Sequence, residues 1–154
     1  MRFEHLLQVN DLSDPRLLPM SRSELWRGLM LRVESPQRFP LGPDRCESSA
    51  GAHDDERVRR IHYGNLRFDD RVRLDFERRI EFLPEPHGDA PPVRLTLTIE
   101  EPAPGALFLR FVYTADGIAS AEDTALQGYR EQAWLENDRD MLRSLRTWHA
   151  DGEL

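Results

Sequence analysis

The sequence predicts an α+β fold in which a curved antiparallel sheet of about seven strands wraps around one long C-terminal helix. Two short helices are predicted after the first strand. Apolar and polar residues alternate with a period of two through much of the segment 44–115, as in strands covered on one face. All eleven prolines lie at or before Pro104, so the last third of the chain is free to be helical.

The N-terminal elements begin with a strand over residues 2–10. Ser21 is followed three residues later by Glu24. This is the spacing of a capping box, in which the serine and the glutamate each accept a backbone N–H of the other. Ser35-Pro36 predicts a second short helix, with serine as its cap and proline at the first helical position.

Six further strands complete the predicted sheet. Gly64-Asn65 lies between two alternating runs and predicts a tight two-residue hairpin. The segment 53–56, His-Asp-Asp-Glu, is interpreted as a hairpin loop rather than a metal site, because no second imidazole lies nearby. The predicted strands cover residues 44–50, 56–63, 66–74, 79–83, 93–100 and 107–114.

The C-terminal helix is predicted to open at Ser120, whose spacing to Asp123 resembles a second capping box. At about 27 residues it would be roughly 40 Å long and cross the whole sheet. The spacing leaves open whether Trp134 lies on the inner face. The residues predicted to face the sheet, at intervals of three and four, are Leu126, Tyr129, Ala133, Asn137, Met141, Leu145 and Trp148.

Composition excludes several classes of protein. A net charge of −7 argues against nucleic-acid binding, which requires a basic face. All 21 basic residues are arginine, so lysine Schiff-base chemistry is excluded. The single Cys46 excludes an internal disulfide and fits a reducing cytoplasm. No apolar run approaches the ~20 residues of a membrane span, and 154 residues predict one domain, 1–154.

The order of elements resembles the START-like (SRPBCC) helix-grip superfamily, which includes birch-pollen-allergen-like proteins and polyketide cyclases. The residues that carry the resemblance are Arg59-Arg60-Ile61-His62-Tyr63-Gly64, Ser35-Pro36 and Ala133-Trp134-Leu135-Glu136-Asn137-Asp138. More narrowly, the chain resembles the AtaL-like branch, named for a fungal biosynthetic-cluster protein. The resemblance implies a hydrophobic or aromatic small molecule in a central cavity, sometimes with cyclase or hydrolytic activity. It carries over no catalytic residue.

Strand alternation identifies candidate residues of the cavity wall. If Ile61 and Tyr63 face inward, Arg59 does too, and Phe68 brings Asp70 inward on the returning strand. An inward arginine and aspartate are costly unless they are paired or solvated. Two interpretations remain open at this point: a salt bridge at the wet end of the sheet, or a polar anchor for a ligand.

The remaining candidates come from the last strands and the last helix. Tyr113 and Tyr129 are predicted inward, where their hydroxyls would orient a ligand or donate to an oxyanion, or be satisfied within the core. Leu97, Phe111 and Ala133 are predicted to complete the ligand-binding wall.

Three functions are compatible with this sequence. The first is a protein that binds a hydrophobic, aromatic or polyketide-like molecule. The second is a cyclase, aromatase or lyase; it is less favoured, because Asp70 is the only predicted inward carboxylate and no inward histidine is predicted. The third is a protein-interaction module. No metal, cofactor or catalytic residue is identified, and a homodimer is among the expectations.

Overall fold

The computed structural model describes residues 1–117 and 121–154. Its strands span Arg2–Gln8 (β1), Arg45–Ala50 (β2), Glu56–Tyr63 (β3), Leu66–Asp75 (β4), Arg79–Pro84 (β5), Arg94–Glu100 (β6) and Phe108–Thr114 (β7). The two α-helices of the described chain span Arg22–Glu34 (α1) and Ala121–Ala150 (α2). The predicted α+β fold, with a sheet of seven strands and a long C-terminal helix, is confirmed.

The seven strands form one antiparallel sheet in the order β1-β7-β6-β5-β4-β3-β2. Strands β2 to β7 therefore form a meander, and β1 pairs with β7 at the edge of the sheet opposite β2. The predicted hairpin is present, with Tyr63 opposite Leu66. Gly64 has a φ of 55°, a conformation that favours glycine at the first position of a two-residue turn. Residues 51–55 connect β2 to β3, so the predicted loop at 53–56 is also present except that Glu56 begins β3.

Helix α1 begins with the predicted capping box. The Ser21 hydroxyl accepts the Glu24 amide at 3.1 Å, and Glu24 Oε1 accepts the Ser21 amide at 2.9 Å. The second short helix is a single 3-10 turn, Pro36–Arg38. Ser35 is its N-cap and Pro36 its first residue, as predicted, but the Ser35 hydroxyl makes no capping hydrogen bond in the described chain. Ser35 also ends α1, where its amide donates to the Leu31 carbonyl.

The buried side chains that the structure describes in helix α2 all lie in its second half, from Asp138 to His149. Met141 and Leu145 are buried, as predicted, but Leu126 and Tyr129 are 58% and 78% exposed. At 30 residues the helix is about 45 Å long, whereas seven strands span only about 29 Å. The predicted cap at Ser120 lies outside the described residues. Neither helix of the described chain has an apolar stretch long enough to cross a membrane.

The core lies between the sheet and the two helices. Leu25, Leu29, Leu97, Phe111 and Leu145 are each at most 1% exposed and belong to one cluster. Helices α1 and α2 approach closely at Gly28, where a Cβ atom would lie 2.8 Å from a methyl carbon of Leu145. A larger residue here would force Leu145 to shift, which favours glycine despite its cost within a helix.

A buried asparagine fastens the loop between β1 and α1 to the rest of the molecule. Asn10 is 2% exposed. Its Nδ2 donates to the carbonyls of Met20 and Gly105 at 2.8 and 2.9 Å, and its Oδ1 accepts the Met20 amide at 2.9 Å. The Asn10 side chain thus supplies hydrogen bonds to backbone groups of loop residues, which no neighbouring strand pairs with.

Candidate functional site

A cavity of about 440 Å³ lies between the sheet and the two helices. This volume is within the range of small-molecule sites. Its wall combines charged side chains, described below, with apolar and aromatic ones. The apolar part includes Phe39, Ile61, Phe68, Phe82, Trp134 and Met141.

A buried arginine–aspartate pair forms the polar part of the sheet wall. Arg59 of β3 and Asp70 of β4 are direct cross-strand partners. Arg59 Nε donates to Asp70 Oδ1 at 2.8 Å, and Nη2 donates to Oδ2 at 2.6 Å. This is the parallel two-bond arrangement that makes such pairs strong and directional. Both residues are at most 7% exposed, so the predicted salt bridge is confirmed, although it lies in the interior rather than at a wet end.

Arg59 also holds the end of helix α1. Its Nη1 donates to the carbonyls of Val33 and Arg32 at 3.0 and 3.2 Å. The last carbonyls of a helix have no partner within the helix and carry partial negative charge. The guanidinium therefore uses all its nitrogens on Asp70 and on α1, which fixes α1 against the sheet.

A second buried cluster centres on Asp138 of α2, which is 0% exposed. Its Oδ1 lies 2.9 Å from Arg32 Nη1. Its Oδ2 accepts the Tyr113 hydroxyl at 2.6 Å and lies 2.8 Å from His5 Nε2. Because a carboxylate only accepts, the histidine Nε2 is the donor. One carboxylate thus joins α1, α2, β1 and β7.

This cluster fixes the protonation of two of its members. Burial alone would lower the pKa of Arg32, but the nearby Asp138 carboxylate outweighs it, and the pKa of Arg32 is raised. Burial, and then the negative charge of Asp138, raise the pKa of Tyr113 well above its ordinary value. Arg32 is therefore a cation and Tyr113 a neutral hydroxyl at physiological pH.

Trp134 extends the cluster to the cavity wall. Its ring stacks on Tyr113, with centroids 4.4 Å apart and planes within 4°. The guanidinium of Arg130 lies over the ring, 5.2 Å from its centroid. Trp134 lines the cavity, which answers the question of its orientation that the sequence left open.

Aromatic residues also stand at the open end of the cavity. Tyr63 and Phe68 pack edge to face at 6.3 Å, and His87, from the loop between β5 and β6, lies 4.7 Å from the Phe68 ring. Tyr63 is 45% exposed. Partial burial raises the pKa of Tyr63, which keeps this hydroxyl protonated.

Five of the ten predicted ligand-binding residues line the cavity. They are Arg59, Ile61, Tyr63, Phe68 and Asp70. All five were derived from the period-two alternation of β3 and β4, and the structure brings them together. Their contact with a ligand stays a prediction.

The other five predicted residues lie elsewhere. Leu97, Phe111 and Tyr113 face inward but are at most 5% exposed, and they form core beneath the cavity rather than its wall. The prediction that Tyr129 faces inward is wrong, because it is 78% exposed. Ala133 is likewise exposed.

Sequence reasoning missed Arg32, Asp138 and His5. The partly buried Trp134 and the buried Asp138, Met141 and Leu145 follow one another at spacings of four, three and four, which is a helical stripe. The predicted stripe passed through the adjacent Asn137, which lines the cavity, and so omitted Asp138.

His5 could have been identified from β1, where odd-numbered residues are the less exposed ones. Among the described residues, no group of three or more histidine, cysteine or acidic side chains is arranged to hold a metal ion.

Residues 7–152 match the model of a protein family described as acetylaranotin biosynthesis cluster protein L, AtaL. The chain belongs to the AtaL family. The resemblance to the AtaL-like branch of the helix-grip superfamily is therefore confirmed. No curated protein matches the sequence.

Solved structures share the fold of this AtaL-family chain at low identity. The di-domain ARO/CYC StfQ from the steffimycin biosynthetic pathway has a TM-score of 0.70 at 12% identity, over 97% of this chain and 50% of StfQ. Ara h 8.0201 has a TM-score of 0.60 at 11% identity, over 94% of this chain and 97% of Ara h 8.0201. The Aha1 dimer from Colwellia psychrerythraea has a TM-score of 0.62 at 10% identity, over 95% of this chain and 96% of the Aha1 chain. At these identities the likeness shows the fold alone.

Proposed function

We propose that this AtaL-family protein binds a hydrophobic, aromatic or polyketide-like small molecule in the cavity between the sheet and α2. The observation that carries the proposal is the open space itself. A volume of about 440 Å³ remains where a merely structural core would be filled by side chains. Protein interiors are otherwise close-packed, and concave apolar spaces of this size are typical of small-molecule sites.

The chemistry of the wall supports a largely apolar, flat ligand. Phe39, Phe68, Phe82 and Trp134 surround the space. Five of the described wall residues are charged, and the two buried ones, Arg59 and Asp70, pair with each other. Preformed polar groups in an apolar pocket orient a ligand at low entropic cost.

The first experiment is native mass spectrometry of the purified protein, followed by denaturing extraction. A stoichiometric adduct above the 18.0 kDa chain would identify the chemical class of the ligand. The same spectra would report the homodimer, which stays a prediction; the Aha1 relative is described as a dimer.

A titration with the neutral fluorophore N-phenyl-1-naphthylamine tests the cavity directly. We expect Ile61→Trp to fill the cavity and abolish the fluorescence increase, because Ile61 lies in the wall. The matched control is Val58→Trp on the same strand, outside the wall of this cavity. Binding that is absent from the wild type, or equal in both variants, would refute the proposal.

A second candidate function is an enzyme of the cyclase, aromatase or lyase type. Asp70 cannot serve as a free base because both its oxygens bind Arg59. Asp140, however, lines the cavity, and its buried Oδ2 has no hydrogen-bond partner within the described chain. An unpaired carboxylate oxygen in an apolar site is suited to accept a proton. Turnover of an extracted ligand, lost in Asp140→Asn with binding retained, would establish this function.

The third alternative, a protein-interaction module, is less favoured. It would be supported by a cavity filled with side chains together with an exposed apolar patch. The cavity is instead open.

A further inference from the structure

The two arginines of the cavity wall differ in how many hydrogen-bond donors they have left. Arg59 uses Nε, Nη1 and Nη2 on Asp70 and on the carbonyls of α1. Arg32 faces only two polar side chains within the described residues, Asp138 and Tyr113. A guanidinium has five N–H donors, so Arg32 retains several without a protein acceptor.

On this ground, and resting on the proposed function, we infer that the ligand is an aromatic acid whose anionic oxygen binds Arg32. Arg32 is part of the cavity wall, and 14% of its side-chain surface is accessible. Carboxylate and phenolate oxygens accept charge-assisted hydrogen bonds from guanidinium in a geometry that neutral oxygens match less well. The remaining donors of Arg32 thus provide the site for the acid group.

The partner of Arg32 leaves part of its guanidinium available to an anion. The contact between the two residues joins Arg32 Nη1 to Asp138 Oδ1, while Asp138 Oδ2 accepts hydrogen bonds from Tyr113 and His5, so Asp138 leaves the other nitrogens of Arg32 to a ligand. The rings of Phe82 and Phe111 lie 5.9 and 5.8 Å from the guanidinium carbon. These rings exclude water from the cation, which strengthens its interaction with a ligand oxygen.

The other charges of the wall orient the acid toward Arg32. Asp70 is neutralised by Arg59, and Asp69 by Arg60 at 3.0 Å. Asp140 has, within the described residues, a single long ion-pair contact, 3.5 Å to Arg143, and it repels an anion. An aromatic acid is therefore expected to place its carboxylate at Arg32 and its ring system against the aromatic wall.

The test compares two ligands of nearly equal shape, 2-naphthoate and 2-naphthamide, as competitors of the neutral fluorophore N-phenyl-1-naphthylamine. We expect the wild type to bind the acid about tenfold or more tightly than the amide at pH 7, the value of one charged hydrogen bond. Arg32→Met should abolish this preference while retaining fluorophore binding. Arg27→Met is the matched control, because Arg27 is exposed on the same helix and its loss changes the net charge equally.

Each outcome bears on one of the two proposals. If the wild type binds the fluorophore but shows no preference for the acid over the amide, the assignment of Arg32 is overturned and the proposed function is left intact. A wild type that does not bind the fluorophore overturns the proposed function. If Arg32→Met fails to fold, the double variant Arg32→Met/Asp138→Asn removes both buried charges and takes its place. An acid preference that survives in the folded variant also overturns the inference.

Discussion

Asp138 is the residue whose loss the structure predicts to be most destabilising. In Asp138→Asn the amide oxygen can still accept from Tyr113 and His5, as Oδ2 does now. The new NH₂ group, however, takes the place of Oδ1, 2.9 Å from Arg32 Nη1. Two donors then face each other, and a guanidinium with 14% side-chain exposure loses its counter-charge. Removing one partner of a buried pair costs about 3–5 kcal/mol.

Urea denaturation followed by tryptophan fluorescence measures this cost. With a urea dependence of about 2 kcal/mol/M, a loss of about 4 kcal/mol lowers the midpoint by about 2 M. The total free energy of unfolding of a domain is only about 5–15 kcal/mol, so the variant should be near the limit of folding. Glu136→Gln is the control on the same helix; its side chain is exposed, and its effect should stay within about 0.5 kcal/mol.

A double-mutant cycle decides whether the cost arises from the ion pair. In Arg32→Met/Asp138→Asn no buried charge is left unpaired, so the double variant should be more stable than the sum of the single effects predicts. We expect a coupling energy of at least about 2 kcal/mol. Strict additivity, or a loss below about 1 kcal/mol in Asp138→Asn, would refute this account of the cluster.

The remaining predictions concern packing, a buried amide and pH. Gly28→Ala should destabilise the fold by about 1–2 kcal/mol, because the new Cβ meets Leu145. Gly128→Ala should stabilise the fold by up to about 1 kcal/mol, because a Cβ there has nothing within 4 Å. The urea midpoints of both variants check these values. Asn10→Asp should cost at least about 2 kcal/mol in the same assay, since an acceptor then faces two carbonyl oxygens. Burial, and secondarily a carboxylate, raise the pKa of Tyr113 above its ordinary 10.0, so the unfolded chain loses this proton first. Wild-type stability should therefore fall above about pH 10 by up to 1.4 kcal/mol per pH unit more than that of Tyr113→Phe; equal slopes for the two proteins would contradict the raised pKa.

The sheet was predictable because its pattern is rigid. Successive residues of a strand point to opposite faces, so a correct strand assignment determines the face of every residue in it. For this reason Ile61 and Phe68 identified Arg59 and Asp70 as inward residues. The same reasoning could not tell whether an inward residue lines the cavity or is covered by other side chains of the core. Leu97 has the correct face, but whether a cavity or another side chain lies above it depends on where the helices pack.

The long helix was harder to predict because its spacing does not determine how much of it is covered. A stripe through Tyr129 and Met141 satisfies helical periodicity, yet Tyr129 is exposed, and the first buried side chain that the structure describes in α2 is Asp138. Asp138 was overlooked for a second reason. Its burial depends on Arg32, which is distant in sequence, and pairing between two such residues leaves no local pattern.

The last turn of α1 connects the stability of the fold to the shape of the cavity. One of its carbonyls accepts a hydrogen bond from the Arg59 guanidinium, which Asp70 on the neighbouring strand holds in place. Its side chain Arg32 binds Asp138 of α2. The position of the free donors of Arg32 therefore depends on contacts with both the sheet and the long helix. Since packed interiors shift between discrete arrangements rather than deform smoothly, a change that moves α1 should alter the site even where it touches no residue of the cavity wall.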